Sequence, residues 1–212
     1  MLATGASHKH LGVPGETRLA GRGVSYCATC DGPLFKGRKV IMVGGGNSAV
    51  TEALYLRHMG AAVTLVHRRD KLRAQDVLAQ QLETSGIPIV WDTEVQAIEG
   101  KERVQKVVLK NNKTGKKSEM PVEGVFIAIG YAPAVALASK IGVDLNDDGY
   151  IQHDSFHRTN VPGIYSAGDV EGGYKQIVTA TGQGAAAAMT IFEDVINPYW
   201  KQDKEWRKAK AS

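Results

Sequence analysis

Both cysteines of the chain lie in one short segment, Cys27-Ala28-Thr29-Cys30, and Asp31 follows the second cysteine directly. Two thiols at this spacing can close a small disulfide ring, and the one that ionises more easily becomes the attacking thiolate. A neighbouring carboxylate can exchange a proton with a departing sulfur. A zinc site needs about four ligands, and the sequence supplies no second cluster of cysteine and histidine. We therefore interpret Cys27, Cys30 and Asp31 as a redox site, in preference to zinc binding or to inert packing.

A glycine-rich turn follows the redox segment. Gly44-x-Gly46-x-x-Ala49 fits the dinucleotide-binding fingerprint, in which small residues allow a tight turn, close approach of the backbone to a pyrophosphate, and helix–strand packing. The turn comes after an apolar run and opens a helical pattern, so the phosphate would face a helix N-terminus. The residues predicted to bind the nucleotide here are Gly44, Gly46, Asn47, Ser48 and Ala49.

The end of the next predicted strand indicates which nucleotide is bound. An acidic residue there would hold the ribose hydroxyls of NAD. This chain instead has His67-Arg68-Arg69 and, a few residues later, Arg73. Guanidinium groups bind a 2′-phosphate bidentately, so we predict NADPH rather than NADH. A solvated basic turn is the alternative, but it accounts poorly for three arginines at this place.

Apolar runs alternate with helical patterns up to about residue 90, which is typical of a parallel sheet covered by helices. Short strands follow, and Asn111-Asn112-Lys113-Thr114-Gly115 predicts the turn of a hairpin. We predict the α/β class, with a Rossmann-like NAD(P)-binding domain that combines a parallel sheet and a β-meander. The predicted strands are 40–43, 62–66, 87–90, 95–98, 104–109, one near 120–122, and 124–130, and the predicted helices are 47–59 and 74–84.

The last part of the chain has a different pattern. An apolar strand is predicted over 163–167 and is interrupted by Gly168-Asp169. An alanine-rich helix is predicted over 176–195, where Asn197-Pro198 ends it. At the other end of the chain, residues 2–5 have the pattern of the end of a strand.

The composition excludes several classes of protein. With 212 residues, 43% hydrophobic and 23% charged residues, the chain has the composition of an ordinary globular protein. A net charge of +4 with no basic stripe gives no reason to expect nucleic-acid binding. No apolar run approaches the roughly 20 residues that span a bilayer, and no signal peptide is present, so we expect a cytoplasmic protein without membrane association. The six histidines are scattered, and we interpret all but His67 as surface or packing residues.

Six short motifs, taken in order, resemble those of low-molecular-weight thioredoxin reductases of the bacterial and archaeal type. The resemblance runs from residue 2 to about residue 196. Three motifs match the redox site, the glycine turn and the arginine-rich strand end described above, and three match the flavoprotein signatures of the family. The motifs are Ala3-Thr4-Gly5, Cys27-Ala-Thr-Cys-Asp-Gly32, Gly44-Gly-Gly-Asn-Ser-Ala49, His67-Arg-Arg-Asp70 with Arg73-Ala74, Ala128-Ile129-Gly130 and Ala167-Gly168-Asp169-Val170.

The resemblance implies a reaction and a set of partners. NADPH would reduce FAD, the reduced flavin would open the Cys27–Cys30 disulfide, and the dithiol would reduce thioredoxin or a similar protein. Cys30 would lie nearer the flavin, Cys27 would exchange with the substrate, and Asp31 would protonate the departing thiolate. Members of the family are commonly homodimers. The residues that the resemblance places at the flavin are Thr4, Gly5, Gly168, Asp169, Lys175, Gln176 and Ile177, with Lys175 standing where the family more often has arginine.

The chain departs from the family pattern at its start. The family begins with a segment that carries its first GxGxxG turn and binds the ADP half of FAD, and this sequence has no such segment. We therefore expect a fragment or truncated form in which FAD binding is weak or absent. The expected domains are 1–22, a remnant of the FAD domain and a linker; 23–130, the NADPH-binding domain with the CxxC site; 131–200, the C-terminal part of the FAD-binding domain; and 201–212, a charged tail.

Two other functions stay open at this point. The first is the reductase component of a peroxidase system, which shares the architecture, although Ala28-Thr29 between the cysteines favours thioredoxin reductase. The second is a non-catalytic NADPH-binding module. Such a module has no use for a CxxC-Asp element, but a recently truncated enzyme would retain one.

Overall fold

The computed structural model describes residues 1–201. None of the helices in this part of the chain combines the length and the hydrophobicity that a membrane span requires. The chain divides into two compact units, residues 8–130 and residues 1–7 with the part after residue 130. The strands are β1 (Ala6–His8), β2 (Val24–Ser25), β3 (Lys39–Gly44), β4 (Ala62–Val66), β5 (Ile89–Val90), β6 (Thr93–Glu99), β7 (Lys106–Asn111), β8 (Lys117–Pro121), β9 (Gly124–Ala128) and β10 (Tyr131–Pro133). The helices are α1 (Ala28–Asp31), α2 (Asn47–His58), α3 (Asp76–Thr84), α4 (Ala136–Lys140) and α5 (Ile177–Ile196).

A five-stranded parallel sheet forms the centre of the unit 8–130, as the sequence predicts. Its strand order is β2-β9-β3-β4-β5, and every neighbouring pair is parallel. The strands read as continuous apolar runs because both faces of the sheet are buried. One face packs against α2 and α3, through residues such as Val50, Leu56 and Leu82, which have no exposed surface. The carboxyl ends of β3, β4 and β9 therefore lie at one edge, where α2 begins.

The predicted β-meander is confirmed as a three-stranded antiparallel sheet, β6-β7-β8. The hairpin between β7 and β8 is closed by Asn111, whose side-chain oxygen accepts hydrogen bonds from the backbone amides of Lys113 and Thr114. This Asx-type turn explains why the polar segment reverses the chain there. The meander buries Val107 and Leu109 against the second face of the parallel sheet.

The prediction of a strand over residues 163–167 is wrong. Only isolated bridges form there: Ser166 pairs with Leu2, and Tyr165 pairs with Arg158. A ladder needs a neighbour along its whole length, and the described chain offers this segment single residues on each side. The apolar pattern predicts burial correctly, since Tyr165 and Ala167 are 4% and 2% exposed. Residues 2–5 likewise contribute a bridge at Leu2 rather than a strand end. Strand β1 pairs with β10 in a two-stranded sheet.

Asp194 on α5 is a buried carboxylate that is held by two partners. Arg158 donates two hydrogen bonds to it, each 2.8 Å long, and the Tyr165 hydroxyl donates a third. The bond with Arg158 is the main cause that holds the pKa of Asp194 below its usual value, against the opposite effect of burial.

We expect Arg158→Met to lower the free energy of unfolding by about 3 kcal/mol, because Asp194 then stays charged and buried without its ion-pair partner. A depressed pKa stabilises the fold above the unfolded value of about 3.9 and ceases to do so as the pH falls through the folded value. The difference in stability from wild type, measured by urea unfolding, should therefore be full at pH 7 and shrink below about pH 4. A constant difference across this range would contradict the ion-pair explanation.

Candidate functional site

Cys27 and Cys30 are joined by a disulfide bond, with an S–S distance of 2.06 Å and a Cα–Cα distance of 5.3 Å. Cys27 is the N-cap of α1, and its sulfur accepts a hydrogen bond from the backbone amide of Cys30 at 3.2 Å. The Thr29 hydroxyl lies 3.3 Å from the same sulfur. Cys30 is exposed and Cys27 is half-buried within this unit. The two sulfurs are thus already paired, and donors surround the sulfur of Cys27.

Ser25 connects the disulfide to Asp31. Its hydroxyl donates a 2.7 Å hydrogen bond to the Asp31 carboxylate and accepts one of 3.1 Å from the backbone amide of Cys27. Ser25 is 5% exposed and lies on β2, at the edge of the parallel sheet. The sheet therefore positions the carboxylate relative to the disulfide. Sequence reasoning missed Ser25, and no pattern in the sequence distinguishes it from other serines.

Glu52 on α2 is a second residue that sequence reasoning missed. Its carboxylate accepts a hydrogen bond of 3.2 Å from the backbone amide of Ala28, the first residue of α1. Burial raises the pKa of Glu52, against the opposing effect of this hydrogen bond. A signal was available, because Glu52 shares a helix face with the buried residues Ala49 and Ala53. A carboxylate on a buried face needs a partner, and here the partner is the redox loop.

The glycine turn joins β3 to α2 as the fingerprint predicts. Gly44 has φ +155°, and a side chain there would collide with the carbonyl of Ala128 and the side chain of Ala49. A side chain at Gly45 would collide with the ring of His67, whereas the space beside Gly46 is open. Gly46 is the N-cap of α2, and no side chain caps this helix. The helix N-terminus is thus open to an anion, which fits the pyrophosphate of a dinucleotide.

A cleft of about 770 Å³ lies over this turn within the unit 8–130. Gly44, Gly45, Arg68 and Arg73 line this cleft, and so do residues 8–11. Arg68, Arg69 and Arg73 are all exposed, and none has an ion-pair partner within residues 1–201. Arg69 lies on the same turn without lining the cleft. Two guanidinium groups are therefore available to a phosphate in the cleft.

His67 packs under the glycine turn. It is 4% exposed, its Nε2 donates to the carbonyl of Lys71 at 3.0 Å, and its ring lies edge-on to Trp91. Burial is the main cause that holds the pKa of His67 below its usual value, so the ring is neutral at pH 7. Arg73 donates its backbone amide to the carbonyl of Gly45 at 2.7 Å. These contacts fix the arginine loop against the phosphate turn.

The hairpin of the meander also holds the arginine loop. Asn112 donates from its side-chain amide to the carbonyl of Arg68 at 3.2 Å. Lys113 forms ion pairs of 3.0 Å with both Asp70 and Asp92. Asp92 has a positive φ of +51°, which is uncommon for a residue other than glycine. Sequence reasoning identified this hairpin only as a turn and missed its contact with the arginines.

The residues predicted to contact flavin lie in the unit formed by residues 1–7 and the part after residue 130. Gly168 has φ +82°, and Asp169 begins a short 3₁₀ helix that ends at Glu171. Lys175 also has a positive φ, of +54°, and its Nζ lies 4.7 Å from the ring centres of Tyr131 and Tyr150. This lysine is thus held by two aromatic rings instead of extending freely.

The start of α5 exposes an apolar surface. Gln176 caps the helix in a reciprocal arrangement with Thr179. Tyr174, Ile177 and Val178 are 87%, 89% and 77% exposed. At the other flavin signature, the Thr4 hydroxyl donates to the carbonyl of Ala134, and Gly5 has φ +75°. Exposed apolar side chains at the start of α5 and glycines with positive φ suit an extended ring system such as flavin, so the residues present are compatible with part of an FAD site.

Comparison with known proteins places this geometry in a family. The family model of the pyridine nucleotide-disulphide oxidoreductases matches residues 1–184. The thioredoxin reductase of Bacillus subtilis is 46% identical over 194 residues, which are 90% of this chain and 61% of that protein. The thioredoxin reductase of Treponema pallidum is 45% identical over 190 residues, which are 89% of this chain and 61% of that protein.

A solved structure of a thioredoxin reductase is also similar to this chain. The crystal structure of thioredoxin reductase from Streptococcus pyogenes shares 41% sequence identity with this chain and a TM-score of 0.83, over 91% of this chain and 64% of that one. The chain thus spans about three fifths of the length of the relatives it matches. The chain belongs to the pyridine nucleotide-disulphide oxidoreductase family, and the relatives named here are thioredoxin reductases.

Proposed function

We propose that the chain carries the NADPH-binding and disulfide-exchanging parts of a thioredoxin reductase, an NADPH-dependent oxidoreductase that uses FAD. One observation carries the proposal. A closed Cys27–Cys30 disulfide, with Asp31 positioned by Ser25, lies in the same unit as a phosphate-binding glycine turn and an arginine-lined cleft. A non-catalytic NADPH-binding module would need the glycine turn and the cleft but not the disulfide with Asp31.

The residues of the cleft bind and orient the nucleotide. The open N-terminus of α2 receives the pyrophosphate, with Asn47, Ser48 and Ala49 in its first turn. Arg68 and Arg73 bind the 2′-phosphate, and Arg69 adds positive charge to the same turn. His67 also lines the cleft, and its buried ring packs against the glycine turn and holds it in place. NADPH and FAD, when bound, supply two electrons to the disulfide.

The residues around the disulfide control protons and charge. Reduction breaks the Cys27–Cys30 bond and adds two electrons and two protons, which leaves two thiols. Asp31, held by the Ser25 hydroxyl, takes a proton from solvent and passes it to the departing sulfur. The backbone amide of Cys30 stabilises negative charge on Cys27, which favours Cys27 as the thiolate that attacks the substrate disulfide. Cys30 then attacks the mixed disulfide, and the reduced substrate leaves.

Residues of the other unit are proposed to hold the flavin. Thr4 and Gly5 supply backbone near β1, and Gly168 and Asp169 supply the turn before α5. The cap of α5, from Lys175 to Ile177, would hold the flavin ring. This part of the proposal rests on the exposure of Ile177 and its neighbours and on the positive φ of Gly168.

The proposed substrate is thioredoxin or a thioredoxin-like protein, because thioredoxin reductases are the relatives that the chain matches. A cytoplasmic location fits a redox pair of this kind, and a homodimer stays a prediction. The test is NADPH oxidation by the full chain with added FAD, supplied with oxidised thioredoxin or, separately, with an oxidised peroxidase disulfide protein. Faster turnover with thioredoxin supports the proposal. Turnover with the peroxidase protein alone would assign the chain to a peroxidase system instead.

Ser25 is predicted to be a positioning residue for this exchange. We expect Ser25→Ala to slow thiol–disulfide exchange about tenfold, because the Asp31 carboxylate loses a charged hydrogen bond that typically contributes about 1.5 kcal/mol or more. The measurement is the rate at which the pre-reduced chain reduces oxidised thioredoxin, with the thermal midpoint recorded to confirm folding. Ser118→Ala, on an exposed position of β8, is the matched control. Equal rates for Ser25→Ala and wild type would show that Asp31 does not depend on this bond.

A further inference from the structure

A cluster of two histidines and a glutamate lies in the unit after residue 130, outside the residues proposed for redox chemistry or cofactor binding. One ligand atom from each of His153, His157 and Glu171 lies within 4.8 Å of the others. The Glu171 side chain is 1% exposed, that of His157 is 12% exposed, and that of His153 is 28% exposed. The cluster is therefore closed on its carboxylate side and open to solvent at His153.

A tight turn brings the two rings together. The Asp154 carboxylate accepts hydrogen bonds from the backbone amides of Phe156 and Arg158, which reverses the chain between the histidines. His157 takes a left-handed conformation, with φ +63°. As a result the imidazole rings stack, with centres 5.5 Å apart and planes inclined by 10°. Both Nδ1 atoms face the Glu171 carboxylate.

The charge of Glu171 needs a cation. The Ser166 hydroxyl donates to it at 2.6 Å, and within residues 1–201 both of its ion-pair contacts are with these histidines. A buried carboxylate is costly unless a positive charge compensates it. A metal ion bound by this carboxylate and the two imidazoles would supply that charge.

The ligand set and the distances match a particular class of ion. Ligand atoms about 2.1 Å from a tetrahedral zinc lie about 3.4 Å from one another. Measured to the same oxygen, Oε1 of Glu171, Nδ1 of His157 lies at 3.1 Å and Nδ1 of His153 at 3.7 Å, so these two separations bracket that value. Imidazole and carboxylate together favour zinc and neighbouring divalent transition metals over magnesium or calcium. The solvent-facing side leaves a fourth position for water.

We propose that His153, His157 and Glu171 form a binding site for a divalent transition-metal ion of the zinc type. Coordination through Nδ1 requires the remaining imidazole proton to lie on Nε2, and His153 then gives up its 2.8 Å hydrogen bond to the carbonyl of Asp154. The bound ion ties the 153–157 turn to Glu171, which ends the 3₁₀ helix that begins at Asp169. Its effect is therefore to stabilise the segment that follows Gly168.

The test is calorimetric titration of the full, metal-free chain with ZnCl₂ at neutral pH, without reductant so that Cys27 and Cys30 stay bonded and cannot bind zinc. We expect one ion per chain and a rise in the thermal midpoint when zinc is present. Cobalt substitution should give the intense visible absorption of a tetrahedral site. These readouts do not depend on NADPH, FAD or catalysis, so they stand apart from the proposed reductase function.

Two variants that remove proposed ligands, and one control variant, locate the ion. His153→Gln with His157→Asn removes both imidazoles, and asparagine tolerates the left-handed conformation at position 157. Glu171→Gln keeps the hydrogen bond with Ser166 but removes the charge. We expect each variant to weaken zinc binding at least about 100-fold, since loss of outer partners alone costs roughly 10- to 100-fold. His58→Gln, on an exposed position of α2, should bind zinc as wild type does.

Two results would overturn the proposal. The first is a wild-type chain that binds no zinc, which would leave the cluster as a set of hydrogen bonds around a buried carboxylate. The second is zinc binding of equal affinity in wild type and in the histidine double variant, which would place the ion elsewhere.

Discussion

Reduced thioredoxin should not form when Cys27→Ser or Cys30→Ser replaces the wild-type chain in a single-turnover exchange. The chain is first reduced chemically, freed of reductant and mixed with oxidised thioredoxin, so the result does not depend on flavin. Wild type should reduce one thioredoxin disulfide per chain. Each variant should be slower by at least about a thousandfold, because exchange needs both an attacking and a resolving thiol.

The two variants should fail in different ways. Cys30→Ser keeps the thiol of Cys27, whose sulfur accepts a hydrogen bond from the backbone amide of residue 30. This variant should therefore trap thioredoxin as a stable mixed disulfide. Cys27→Ser should trap little, and serine is itself a good N-cap, so α1 should persist. Ser118→Ala, on an exposed position of β8, keeps both thiols and the redox segment unchanged, so it is the control and should stay within a few-fold of wild type. Trapping by Cys27→Ser but not by Cys30→Ser would reverse the proposed roles of the two cysteines.

The second large effect concerns the choice of nucleotide. We expect Arg68→Gln with Arg73→Gln to raise the dissociation constant of NADPH about 100-fold, because two charged hydrogen-bonding groups at the 2′-phosphate are lost. The dissociation constant of NADH, which lacks this phosphate, should change little. Calorimetric titration with both nucleotides measures the two constants on the same preparation.

The structure also predicts different contributions to NADPH binding from the three arginines. Arg68 and Arg73 line the cleft and Arg69 does not, so Arg69→Gln should have a smaller effect than either of the other single changes. Arg57→Gln, on the last turn of α2, removes the same charge away from the cleft and is the matched control. Equal losses of NADPH and NADH affinity in the double variant would mean that the arginines support the fold of the cleft without recognising the 2′-phosphate.

Much of the unit 8–130 can be predicted from the sequence, because local and global signals agree there. The apolar runs of β3 and β9 end at or near a glycine, β4 follows one closely, and α2 begins at the residue that the fingerprint indicates. Where local and global signals agree in this way, the secondary structure of a segment can be predicted from its own residues. By contrast, β2 has only two residues, and it is a strand because β9 lies beside it. Its pairing partner is about a hundred residues away in the sequence, so no local pattern reveals it.

The error over residues 163–167 has the same origin. An apolar run ending in glycine predicts burial, and Tyr165 is buried, but a strand also requires partners that the run itself does not specify. The site shows this limit as well. The cysteines, Asp31 and the arginines carry recognisable chemistry in their spacing, whereas Ser25 and Asn112 act through single hydrogen bonds made across the fold. The histidine cluster at residues 153–171 likewise depends on a turn whose geometry the scattered histidines do not indicate.

The most direct test of the account is a thiol titration of the full chain after anaerobic addition of NADPH and excess FAD. The account predicts that two thiols appear per chain, at Cys27 and Cys30, and that Arg68→Gln with Arg73→Gln greatly reduces their rate of appearance. Flavin absorbance followed in the same sample should bleach as the thiols form. A chain that binds NADPH and FAD yet keeps its disulfide closed would contradict the account and would leave a nucleotide-binding protein without reductase chemistry.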